Sequence, residues 1–127
     1  MKNTVYFLLV FIFLTSCKCF QGDHCNNTKP IAGVYKNIFD KEAKNILNIK
    51  NNGTFEQVFT KNGQVIKNLG EWSFYEENCN VDLKGLKLMH ELGKYEKEEF
   101  KEEGLYRLNN IIFNEDLGRE FDFYRIK

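Results

Sequence analysis

The chain has 127 residues, twelve of them Phe, a single Pro, and 18 Lys+Arg against 18 Asp+Glu. That length leaves room for one small domain rather than a multidomain enzyme, and an aromatic fraction of 15% is more than a disordered chain carries. Zero formal charge leaves no electrostatic footprint for nucleic acid, so none is expected as a partner.

Residues 1–16 read as an export signal. Lys2 and the amino terminus supply the positive charge, and residues 5–14 form an unbroken apolar run. As a helix that run is about 15 Å long, roughly half the hydrocarbon core of a bilayer, too short to span it. It ends in Leu14-Thr15-Ser16-Cys17, a branched aliphatic, two small residues and a cysteine. This tetrad resembles the lipobox of bacterial lipoproteins. The resemblance implies diacylglycerol on the Cys17 sulfur, cleavage before Cys17 and fatty acylation, palmitate among the chains, at the new amino terminus. Several acyl chains on one residue meet the two-signal requirement for stable anchoring. The expected location is the cell envelope, on the outer membrane or surface if there are two membranes. Lys18 gives no inner-membrane retention signal. The mature chain keeps 111 residues and a charge of −1.

Residues 17–30 read as a lipidated terminus and polar linker, containing the only proline. Export favours disulfides, and Cys19, Cys25 and Cys79 remain as candidates. Two pairings compete. Cys25 with Cys79 would pin the tether onto the domain, and Cys19 with Cys25 would close a local loop. Cys19, Asp23, His24 and Cys25 offer thiolate and imidazole, but they match no zinc spacing, so no metal or other cofactor is expected.

The domain, residues 31–127, reads as short strands joined by tight turns. Gly33-Val34-Tyr35 opens the first, and residues 43–50 form a second with Leu47 and Ile49 on one face. Asn51-Asn52-Gly53 signals a hairpin into 54–61, where Phe55 and Phe59 share a side. Lys61-Asn62-Gly63 turns into a long strand, 64–75, with Ile66, Trp72 and Phe74 on one face. A turn at 76–78 leads to a strand at 78–84, which points Cys79, Val81 and Leu83 at the core. Residues 87–103 carry six Glu and four Lys without alternation. Leu88, Leu92 and Tyr95 fall at helical spacing, so a short helix or an exposed charged hairpin would both fit. Strands resume at 105–113 and 119–127, the latter with Phe121 and Phe123 on one face.

The expected fold is therefore mainly β, an antiparallel up-and-down meander of about seven or eight strands closing into a small barrel. The rhythm of Gly33-Val34-Tyr35, the Asn-Asn-Gly-Thr-Phe run at 51–55 and Gly70-Glu71-Trp72 resembles small bacterial lipocalin-like lipoproteins. The resemblance implies a lipocalin-like barrel and, with it, carriage of a small apolar ligand. True lipocalins place Gly-x-Trp on the first strand, where this chain has Gly-x-Tyr.

Catalytic signals are sparse. Ser73, the only serine of the mature chain, is flanked by Trp72 and Phe74 rather than by a nucleophile elbow. His24 and His90 form no zinc-binding pair. No catalytic residue is assigned. Phe55, Phe59, Trp72, Phe74, Phe113, Phe121 and Phe123 would either line a ligand cavity or fill it, since a barrel of this size does one or the other. The expected function is a non-enzymatic, membrane-anchored monomer that binds an envelope or exported protein, as immunity proteins and inhibitors do. Its candidate partner surface is the charged segment with Glu98, Glu99, Glu102 and Glu103. The alternative is the apolar-ligand carrier.

Overall fold

Period-two alternation of apolar and polar residues puts every second side chain on one face of a strand, and a chain of such strands must bury that face. In the computed structural model, which describes residues 25–87, 101–113 and 119–127, the meander does so by rolling into a nearly closed antiparallel barrel. The strands are β1 (Gly33–Asn37), β2 (Lys44–Ile49), β3 (Thr54–Lys61), β4 (Gln64–Tyr75), β5 (Asn80–Lys84), β6 (Lys101–Arg107), β7 (Asn110–Ile112) and β8 (Tyr124–Arg125). Neighbours in sequence pair in order from β1 to β7, and β8 returns to β1 through Tyr35↔Arg125 and Lys36↔Tyr124. The seam between the two edge strands, β7 and β8, is stitched by Ile111 and Phe123, which exchange backbone hydrogen bonds of 2.9 and 2.8 Å.

Register decides which side chains face inward. Gly33, Tyr35 and Asn37 pair with Ile49, Leu47 and Asn45, and the inner row continues through Phe55, Gln57 and Phe59 to Ile66, Asn68, Gly70, Trp72 and Phe74. The core cluster joins Tyr35, Leu47, Ile49, Phe55, Val81, Leu83, Leu86, Tyr106, Ile111, Phe113 and Phe123, with Trp72, Phe74 and Phe121 packed against it. Phe55 lies over Gly70, its cross-strand partner. A Cβ on Gly70 would come within 2.3 Å of the Phe55 ring and 2.4 Å of the Lys84 carbonyl, so only glycine fits there.

Three expectations differ in detail, and a fourth is met only in part. Cys79 is not a strand residue: it closes the β4–β5 turn with φ of 62° and stays buried, and β5 begins one residue later. The predicted strand 105–113 is a hairpin, because Leu108 and Asn109 both take positive φ (50° and 62°) and reverse the chain. The predicted strand 119–127 is split into a 3-10 turn at Arg119–Phe121 and the short β8, and between them the Asp122 carbonyl accepts from the Asn37 side chain while its carboxylate accepts from Phe113 N–H. Of the segment given as helix or hairpin, residues 101–103 are strand and 88–100 lie outside the described residues.

Candidate functional site

The barrel has two ends built from different residues. The amino-terminal end carries the chain before β1 and the turns β2–β3, β4–β5 and β6–β7. The opposite end carries the connections β1–β2, β3–β4, β5–β6 and β7–β8.

At the amino-terminal end a disulfide joins Cys25 to Cys79, with Cα atoms 5.5 Å apart. It settles the pairing in favour of the long-range bridge, and it takes the Cys25 thiolate out of any metal set. Residues 25–30 then lie against the barrel rather than away from it. Asn27 donates to the Tyr106 carbonyl (2.9 Å) and accepts from the Asn109 N–H (2.8 Å). The Asn109 side chain accepts from the N–H groups of Thr28 and Lys29 at 2.8 and 2.9 Å. Leu108 N–H donates to the Cys25 carbonyl at 3.2 Å. The β6–β7 turn and the amino-terminal segment thus hold each other.

Beneath them lies a polar knot. Arg125 faces inward, because β8 sets it opposite Tyr35. Its Nη1 fans out to the Pro30 carbonyl and to the hydroxyls of Tyr35 and Tyr106 at 2.7, 3.1 and 3.3 Å, and Nη2 donates to the Ala32 carbonyl at 2.8 Å. The guanidinium also sits 5.4 Å from the centre of the Tyr35 ring, a cation–π distance. Tyr35 donates to the Ile31 carbonyl. Burial, with the Tyr106 hydroxyl beside it, holds Tyr35 far above the ordinary phenol range despite the pull of Arg125, so it stays a neutral donor. Gly33 leaves room for this: a Cβ there would lie 2.5 Å from the guanidinium. Trp72 adds its indole N–H to the Lys50 carbonyl at 2.7 Å.

The opposite mouth is stoppered by amides. Gln57 pairs with the backbone of Lys87 as a strand would, its Oε1 accepting at 3.1 Å and its Nε2 donating at 2.8 Å. The same Nε2 reaches Asn45 Oδ1 at 3.2 Å, and Asn68 donates to the Gly85 carbonyl. This fixes the chain as it leaves β5 and buries Leu86 in the core. Asn37 donates to the Asp122 carbonyl at 3.1 Å, and Asp122 Oδ1 accepts from Phe113 N–H at 2.9 Å. Burial holds the Asp122 carboxyl above its usual range, against that N–H and the Arg119 charge. Outside the stopper, Ile38, Phe39 and Val65 are exposed, and Lys61 grips Asp40 at 2.6 Å. The Lys61 ammonium holds the Asp40 carboxyl below its ordinary range.

The seven aromatics proposed from sequence are therefore interior or nearly so. Phe55, Phe113 and Phe123 are in the core cluster, Trp72, Phe74 and Phe121 lie against it, and Phe59 is buried near the amide stopper. Edge-on ring contacts such as Phe113 with Phe123 (6.4 Å) and Phe74 with Tyr106 (5.7 Å) show them packing on one another. Of the acidic set, Glu103 is exposed on β6 opposite Asp82, and the backbone of Glu102 pairs with Leu83. Glu98 and Glu99 lie outside the described residues, as do Cys17, Cys19, Asp23, His24 and His90. Ser73 is on the outer face of β4. A groove of about 370 Å³ runs outside the barrel where β5 ends beside β4, lined by Leu69, Gly70, Glu71, Lys84 and Gly85.

Sequence reasoning missed Arg125 and the amide row. Arg125 had a signal, since it shares the alternating face of Phe121 and Phe123. Asn45, Gln57 and Asn68 also fall on the apolar faces of their strands. No family model, curated protein or solved structure matches this chain.

Proposed function

We propose that the protein is a lipid-anchored, non-enzymatic binding module of the bacterial cell envelope, tethered through Cys17 and presenting the far end of its barrel to another protein. The observation that carries this reading is the polarity of the barrel. The chain from the proposed anchor arrives at Cys25, which is locked to the β4–β5 turn by its disulfide. Among the described residues, the opposite end holds the exposed Ile38, Phe39 and Val65. The described acids of the candidate partner surface, Glu102 and Glu103, also open β6 at that end. Exposed apolar side chains with a charged pair, Lys61 and Asp40, at the same end suit a protein-binding surface.

The interior supports binding on the outside rather than carriage within. Among the described residues, Phe74 packs on Tyr106 and Phe113 on Phe123, Leu86 enters the core, and Arg125 and Gln57 occupy the interior toward opposite ends. A barrel of about eight strands is either packed by its side chains or holds one small ligand, and the packed aromatics favour the first.

Photo-crosslinking tests the assignment. A photoreactive residue at Phe39 or Val65 should capture one discrete protein in intact cells, and the same residue at Ser73 on the barrel wall should capture none. Equal capture from all three positions, or none from any, contradicts the reading. Radiolabelled fatty acid should enter the protein and be lost in Cys17→Ala.

A further inference from the structure

The amino-terminal end of the barrel has its own exposed chemistry. Leu108 sits at the tip of the β6–β7 turn with 64% of its surface exposed, and Ile126 follows β8 with 52% exposed. Lys29, Arg107 and Lys127 are exposed around them. The β6–β7 turn and the chain around β8 meet here: Leu108 N–H bonds to the Cys25 carbonyl, Lys29 N–H bonds to the Asn109 side chain at 2.9 Å, and Arg125 N–H, one residue before Ile126, bonds to the Asn110 side chain at 3.0 Å. Among the described residues, Glu76 and Glu77 are exposed acids of this end, on the β4–β5 turn that Cys79 closes.

Leu108 is a costly choice for its place. A turn with two positive φ values favours Asn or Gly, and a leucine there carries strain that either would relieve. An exposed apolar residue held in such a conformation, with cations beside it, has the make-up of a side chain that inserts among lipid headgroups.

We propose that this end, through Leu108 and Ile126 with Lys29, Arg107 and Lys127, rests on an anionic lipid surface. The inference rests on the proposed anchor. Cys25 is eight residues from Cys17, so the bridge lies at most about 28 Å along the chain from the acylated residue. The tether therefore keeps this end, rather than the far one, at high local concentration beside the bilayer. Apolar tips would enter the headgroup layer, the three cations would face its phosphates, and the barrel axis would stand off the membrane.

Hydroxyl-radical labelling read by mass spectrometry tests it on the full-length protein, extracted from its own membranes and reconstituted into vesicles. With phosphatidylglycerol in the vesicles, labelling of Leu108 and Ile126 should fall severalfold relative to pure phosphatidylcholine vesicles, while Phe39 and Val65 label equally in both. Leu108 as reactive as Phe39 on anionic vesicles overturns the proposal. Equal protection on neutral vesicles overturns its assignment to anionic headgroups. A protein carrying no lipid on Cys17 fails the anchor itself, and a lipidated protein with Leu108 unprotected fails this inference alone.

Discussion

Arg125 ties together distant parts of the chain: its guanidinium touches Pro30, Ala32, Tyr35 and Tyr106, and its backbone pairs with Tyr35. A charge at a mouth of the barrel is tolerable because carbonyls and phenol oxygens surround it and an aromatic face lies under it. Arg125→Ala strands those acceptors and should cost about 2–4 kcal/mol in urea unfolding. Arg125→Lys should recover little, because an ammonium cannot reproduce the planar fork. Asp122 makes an opposite prediction. Its folded-state carboxyl binds a proton more tightly than in the unfolded chain, so stability falls as pH rises from about 4 through the raised value. Asp122→Asn keeps an acceptor for Phe113 N–H and removes the slope. The variant should be the more stable protein near neutrality and lose that advantage in acid, as urea midpoints across the pH range would show.

At the scale of elements, the strands that alternate cleanly were legible to the residue. β3 and β4 begin and end where the pattern does, because Asn62 and Gly63 supply the positive φ their hairpin needs (51° and 75°). The β6–β7 turn was invisible for the converse reason. Leu108 is no turn former, and the turn is stabilised by Asn27, Thr28 and Lys29, some eighty positions away, which local sequence cannot reveal. Cys79 was read as facing the core and does so, but from a turn, since a buried cysteine before a Val and a Leu at alternate positions looks the same in either setting. Leu108→Asn should remove the αL strain and raise stability by about 1 kcal/mol, visible as a higher Tm. If the headgroup contact holds, the same variant should bind anionic vesicles less tightly. Gain of stability without loss of contact would separate the two roles.

For the whole molecule, the disulfide makes the direction of the tether a property of the fold. It closes a sequence separation of 54 residues, and in the chain-entropy view its loss should cost about 4 kcal/mol. Cys25→Ser with Cys79→Ser should therefore lower the unfolding midpoint sharply and free residues 25–30 for proteolysis while the barrel strands persist. The barrel itself was legible as a meander of the right strand count, whereas the polar groups in its interior were not. Those are Arg125 and amides that alternate with apolar residues, and their partners lie in distant loops. The measurement that bears most directly on the account is native mass spectrometry of the protein gently extracted from its own membranes. It should find a chain beginning at Cys17, bearing acyl groups and one internal disulfide, bound to a second protein and holding no small molecule. A retained small apolar ligand, or an unmodified Cys17, would contradict a filled, lipid-anchored barrel that works through its outer surface.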